Sequence, residues 1–239
     1  MFKKYNTIEN TYREKVIEQI HLHGYGNETY VVQEKVHGAN FSFICDGKNV
    51  HVAKRTAIIE EDEQFNNYQF VLDTYKERIL ELFSFIQNDI SEVHTIHVYG
   101  ELFGGSYDHP DVKKIPNMVK VQKGISYSSK NDFYAFDICI NQEQYLDVHQ
   151  VNTYFEKLGM FYAKTLFEGN LQDCLAYPNV FSTHIPLWLG LPEMENNFCE
   201  GVIIRPSKNK IFRNGSRVIL KNKNGDLFYY NKHEKFNSN

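Results

Sequence analysis

Short extended runs separated by turn residues dominate this chain, and only two stretches carry a helical period. Phe41, Phe43 and Cys45 alternate with polar neighbours, Asp46-Gly47 supplies a turn, and Val50-His51-Val52-Ala53-Lys54-Arg55 resumes the extended pattern. Residues 28–56 are expected to form a hairpin or meander. Between Glu60 and Ile90 the period changes. Leu72, Tyr75, Ile79, Leu82, Phe83 and Ile86 recur at helical spacing, which predicts a long amphipathic helix. A second helix, from Tyr145 to Leu158, should stop at Gly159. Strands are expected at 96–102, 133–140, 201–205, 218–223 and 227–230, with 104–131 an irregular insertion. Two long helices on a mainly antiparallel sheet give an α+β architecture.

No internal repeat or Pro/Gly/Ser-rich linker divides the 239 residues, and 42% hydrophobic content suffices for a sizeable core. One domain over residues 1–239 is expected. Cys45, Cys139, Cys174 and Cys199 lie far apart without a CxxC pair, so free thiols are expected. No secretory pattern opens the chain and no run of eighteen apolar residues occurs, so a soluble, cytoplasmic protein without membrane contact is expected. The net charge is −4, yet residues 201–239 hold nine Lys/Arg against two acids. Such a local basic field suits a polyanion, or is simply a solvated basic tail.

The chemistry centres on Lys35, in Glu34-Lys35-Val36-His37-Gly38-Ala39-Asn40-Phe41. A lysine before a glycine at a strand mouth reads as a nucleophile, provided something disfavours its charge. Lys221 and Lys223 project from one face of their strand. At roughly 4 Å one such cation contributes about 4 kcal/mol against a neighbouring ammonium, about three pKa units. Lys-x-Lys is equally a common pattern of exposed edge strands. Glu101, Asp137 and Glu200 interrupt or open apolar strands, where a carboxylate is costly unless it meets a cation or a ligand hydroxyl. No GxxxxGK[ST] loop, GxGxxG turn or HExxH pair is present.

Glu34-Lys35-Val36-His37-Gly38, Tyr99-Gly100-Glu101-Leu102-Phe103-Gly104-Gly105, Phe133-Tyr134-Ala135-Phe136-Asp137-Ile138, Glu200-Gly201-Val202-Ile203-Ile204-Arg205-Pro206 and Leu220-Lys221-Asn222-Lys223 resemble, in this order, the motifs of covalent nucleotidyltransferases. More narrowly they resemble ATP-dependent RNA ligases of the RNA ligase 2 type, a resemblance that spans residues about 30–225. DNA ligases and capping guanylyltransferases carry Lys-x-Asp-Gly where this chain has Lys35-Val36-His37-Gly38. The histidine, Asn40 and Lys54-Arg55-Thr56 favour the RNA branch.

The resemblance implies an adenylyltransferase domain of ATP-grasp-like, antiparallel-sheet architecture, without an appended helical or OB domain. It implies that Lys35 takes AMP from ATP, that AMP passes to an RNA 5′-phosphate, and that a 3′-hydroxyl then seals the strand. By motif, Lys35, Lys221, Lys223 and Glu200 would be catalytic. Glu34, Asn40, Arg55, Glu101 (ribose), Phe136 (adenine stacking) and Arg205 would join the lysines in holding ATP, and His37 would serve phosphate or RNA ends. Glu200, Asp137 and Glu101 would hold Mg²⁺, which takes one or two carboxylates plus phosphates rather than a visible cage. The partner would be RNA, as a nicked duplex or free ends, with a protein partner supplying RNA-end binding. The alternatives are a non-catalytic end-binding subunit and DNA ligation or capping chemistry.

Overall fold

Two five-stranded sheets face each other, and the chain passes between them at Lys35. The computed structural model describes residues 2–225. In chain order the first elements are β1 (Glu9–Asn10), α1 (Glu14–Leu22), β2 (Tyr30–Glu34), β3 (Ala39–Cys45), β4 (Val50–Lys54), α2 (Tyr68–Asp89), β5 (Ile96–Ser106) and β6 (Ser128–Ile140). They are followed by β7 (Gln144–Tyr145), α3 (Val148–Lys157), β8 (Thr165–Gly169), α4 (Leu171–Leu175), α5 (Ile185–Trp188), β9 (Gly201–Pro206) and β10 (Leu220–Lys223). One sheet runs β1-β10-β9-β2-β8, the other β4-β3-β5-β6-β7. Among the described strands only β1 and β10 pair in parallel. The α+β class with antiparallel sheets is as the sequence indicates.

The 28–56 region is not one meander. β2 is buried at all five residues, as suits a strand between two neighbours, and it pairs with β8 and β9. The alternating β3 and β4 form a hairpin in the other sheet. Residues 35–38 are the crossover.

α2 and α3 cover the outer face of the second sheet, burying Ile79, Leu82, Val151 and Phe155 against Phe43, Val98, Phe133 and Ile138. α2 starts only at Tyr68, after Asn66 and Asn67, both in the left-handed region. α3 opens on a capping box between Asp147 and Gln150. The chain leaves it through Gly159 at φ +58°. α1 packs Ile20 on Val32, Ile204 and Leu220 of the first sheet. Its short stripe of Val16, Ile17 and Ile20 gave too little periodicity to be read, and β1, β8, α4 and α5 were likewise unexpected. β5 and β6 extend into the expected insertion, which narrows to 107–127. The strand expected at 227–230 lies outside the described residues.

β6 breaks its own alternation where it matters most. Tyr99 pairs with Asp137 but Gly100 pairs with Ala135, so one extra residue is accommodated at Phe136. Phe133, Ala135 and Ile138 face the helices. Phe136 and Asp137, although consecutive, both turn to the side facing the first sheet, where Phe136 lines the cavity and Asp137 meets Arg205. The four cysteines are free and buried. No helix among the described residues is long and apolar enough to cross a membrane.

Candidate active site

A cavity of about 250 Å³ opens between the sheets, and Glu34, Lys35, Asn40, Arg55, Glu101, Phe136, Arg205, Lys221 and Lys223 all line it. The backbone explains the convergence. The Lys35 N–H donates to Gly201 O at 3.0 Å, which ties the crossover to β9. The crossover then presses on β5. A Cβ on Gly38 would lie 2.6 Å from Leu102 O and 3.0 Å from Glu101 Cβ, so only glycine fits. Asn40 pairs with Glu101 across β3 and β5. Lys221 and Lys223 leave one face of β10, opposite Ile203 and Gly201. Gly201, at φ +134°, lets β10 close over it, since a Cβ there would stand 2.1 Å from Asn222 O.

Glu200 is the electrostatic centre of this cluster. It is 1% exposed, and its Oε2 lies 2.5 Å from Lys35 Nζ and 3.5 Å from His37 Nδ1, while Oε1 lies 2.9 Å from Lys223 Nζ. Burial opposes its charge, but the His37 hydrogen bond and the two lysines overcome this and hold its pKa at about 2. Glu101 behaves in the opposite way. Burial pushes its pKa up to about 7 despite the opposing charge of Lys35, and Glu200 adds to the rise. Burial, then the like charges of Lys223 and Lys35, lower the pKa of Lys221. Lys35, Lys221 and Lys223 thus form one cluster of like charge. It is joined by the Glu200 carboxylate in direct contact with Lys35, a contact that sequence reasoning did not foresee.

Two expected roles need correction. Asp137, expected on a metal, is fully buried and salt-bridged through Oδ2 to Arg217 at 2.6 Å and Arg205 at 2.8 Å, and Tyr5 donates a hydrogen bond at 2.7 Å. Burial opposes its charge, and Arg217 and Arg205 outweigh it to lower the pKa. Its carboxylate is thus engaged by two guanidinium groups and a hydroxyl, and it is not among the residues lining the cavity. Glu34 lines the cavity, but its carboxylate accepts from the Thr183 hydroxyl and, at 3.0 Å, from the His184 N–H. It anchors the 183–184 segment rather than presenting itself to a ligand.

Sequence reasoning missed Tyr5, Thr7, Ile8, Gln33, Val36, Tyr134, Ala163, Ile203 and Ile219 in the walls. Alternation could have supplied Ile203 from Arg205 and Ile219 from Lys221. Nothing in residues 5–8 announces a wall. Tyr5 is held there by Asp137 and by ring contacts with Phe136 and Tyr99.

The cavity joins an amine, two further lysines, the Glu101 carboxylate and an aromatic face, with Glu200 bonded to two of the lysines, a set suited to holding a polyphosphate and a base. Comparison with known proteins agrees. The RNA ligase family profile matches residues 28–223. The mitochondrial RNA-editing ligase 1 of Trypanosoma brucei brucei is 32% identical over 223 residues, 80% of this chain and 48% of that protein. RNA-editing ligase 2 from the same organism is 28% identical over 232 residues, 87% of this chain and 56% of that protein. The chain thus spans about half the length of the curated relatives it matches. In structure it resembles Naegleria gruberi RNA ligase with PPi, at TM-score 0.64 and 16% identity over 98% of this chain and 58% of that one. A mutant of that ligase with ATP and Mn matches at TM-score 0.60 and 15% identity, over the same shares. At such identity the likeness is one of fold. Motif order, cavity and a profile match covering residues 28–223 converge on one statement: the chain belongs to the RNA ligase family.

Proposed function

We propose that residues 2–225 form one nucleotidyltransferase domain of an ATP-dependent RNA ligase, a soluble, cytoplasmic enzyme. The observation that carries this reading is the position of Lys35, at the wall of a cavity shared with Glu101, Phe136, Lys221 and Lys223. The chemistry of the lining suits a nucleotide. Arg205 also lines it, and its buried Nε has no hydrogen-bond partner among the described residues, leaving a donor for a ligand.

In this reading the Lys35 nitrogen gives up a proton to solvent, leaves the Glu200 carboxylate and attacks the α-phosphorus of ATP. The N–P bond forms as the P–O bond to pyrophosphate breaks. An oxygen of an RNA 5′-phosphate then attacks that phosphorus and the N–P bond breaks, returning the amine. Finally a 3′-hydroxyl oxygen gives its proton to solvent and attacks the activated 5′-phosphorus, and the P–O bond to AMP breaks. Lys221 and Lys223 stabilise negative charge on the transferring phosphate, Phe136 stacks on the base, and Glu101 and Asn40 meet the ribose. Arg55 and His37 face phosphate. The donor set suits a hard divalent cation: Glu200 and Glu101 with ATP phosphates would hold Mg²⁺, which would neutralise the leaving pyrophosphate and compete with Lys35 for Glu200. The RNA is a nicked duplex or a pair of ends, presented with the help of a protein partner.

Incubation with Mg²⁺ and ATP labelled at the α-phosphate tests the reading. Label that stays on the denatured chain and is alkali-stable but acid-labile, as an N–P bond is, and that is absent in Lys35→Ala, supports it. No label would leave an end-binding module, and label from GTP alone would indicate capping chemistry.

A further inference from the structure

The segment 107–127 is tied to the nucleophile crossover more tightly than a surface insertion needs to be. Gln122 Nε2 donates to Gly38 O at 3.0 Å, and the His37 N–H donates to the Tyr127 hydroxyl at 2.8 Å. Ser126 and Asn197 exchange two hydrogen bonds, Ser126 N–H to Asn197 Oδ1 at 2.9 Å and Asn197 Nδ2 to Ser126 O at 2.6 Å. The segment is thereby fixed to the chain leading into Glu200 as well. Between segment and crossover lies a crevice of about 10 Å³, lined among others by His37, Ser106, Lys120, Gln122 and Tyr127. It has room for one oxygen-sized group, its polar side chains all offer donors, and no carboxylate lines it.

Along the segment lysines outnumber acids, Lys113, Lys114, Lys120 and Lys123 against Asp108 and Asp111. Lys113, Lys120 and Lys123 are exposed and form no ion pair among the described residues, whereas Lys114 pairs with Asp108. An excess of exposed lysines without ion-pair partners among the described residues suits a polyanion.

We infer that 107–127 is the RNA-docking element of this domain. Lys120 and Lys123 take backbone phosphates of the RNA, one phosphate oxygen entering the crevice beside His37. Gln122 and Tyr127 keep that strand in register with Lys35. The inference rests on the RNA ligase reading and names the surface that presents its substrate.

The test compares the wild-type chain with K120A/K123A, and with K76A on α2 as a distant control. Affinity for a short 5′-phosphorylated single-stranded RNA is measured across a salt series, and self-labelling from ATP in parallel. Each lost phosphate contact lowers the slope of log K against log salt by about 0.7, so the double variant should lose about 1.4 and bind about 25-fold more weakly at 0.1 M salt. Its self-labelling should stay within twofold of wild type, and K76A should match wild type throughout. An unchanged slope in K120A/K123A, an equal fall in K76A, or a parallel collapse of self-labelling would each overturn the docking role. Absence of label on the wild type would instead defeat the ligase reading and leave the salt slopes to be judged separately.

Discussion

Lys35 Nζ and Glu200 Oε2 are in direct contact at 2.5 Å, and Glu200 holds Lys223 and His37 as well. One buried carboxylate thus holds two lysines of the cavity wall and the crossover histidine. Removing it should leave two ammonium groups without their counter-charge. Glu200→Ala is expected to lower the rate of self-labelling from ATP by at least ~100-fold. Lys35→Ala should abolish label yet leave thermal unfolding nearly unchanged, because Glu200 keeps two partners. Label persisting in Lys35→Ala would remove the lysine from the chemistry.

Glu101 and Glu200 should leave opposite signatures in the pH dependence of stability. Glu101 is raised from 4.5 to about 7, so between those values the native chain binds more protons than the unfolded one, and stability falls as pH rises. Glu101→Gln should therefore gain on wild type from pH 4.5 to pH 7, by on the order of 2 kcal/mol given its partial exposure. Glu200 is lowered from 4.5 to about 2, so its contribution is complete above pH 4.5 and lost as pH falls through 2. Urea unfolding at a series of pH values reads both slopes.

Asp137→Asn should act on stability rather than on metal dependence. It leaves Arg205 and Arg217 buried without their shared carboxylate, a loss of about 3–5 kcal/mol. The midpoint of urea unfolding should fall accordingly, while the Mg²⁺ concentration giving half-maximal self-labelling stays put. A shift in that concentration at unchanged stability would restore the metal role.

Gly201→Ala should uncouple β10 from β9. The backbone at φ +134° is strained for any L side chain, and the added Cβ would stand 2.1 Å from Asn222 O. A destabilisation of about 2 kcal/mol or more is expected by thermal unfolding, with self-labelling reduced beyond the loss of folded chain, because Lys221 and Lys223 ride on β10.

The parts of the site visible in the sequence are those whose geometry is local. Lys35 and Gly38 lie in one turn, Lys221 and Lys223 share a face by simple alternation, and Glu101 and Glu200 stand out as acids in apolar runs. The rest depends on contacts between distant segments. Tyr5 reaches the cavity only because Asp137 and Arg217, far along the chain, hold it there. Asp137 and Glu101 look alike in sequence, each a carboxylate in a buried strand. Partners drawn from three other segments make one a structural ion pair and leave the other beside Lys35. At 28–56 the hairpin of β3 and β4 was legible but the departure of β2 to the other sheet was not, for a related reason: extended residues announce a strand but not the sheet that receives it.

The extra residue at Phe136 makes β6 intolerant of changes in length. Deleting a single residue there would restore strict alternation, and either Phe136 would leave the cavity or Asp137 would rotate toward the helices, stranding two guanidinium groups. The hairpin arm between β5 and β6 carries no such parity, since its loop joins the strands beyond the last paired residues Ser106 and Ser128. Insertions and deletions should accordingly be accepted around residues 108–117 and rejected at 136–137. Grafting this pocket onto another scaffold would require transplanting the irregularity together with the side chains it aims.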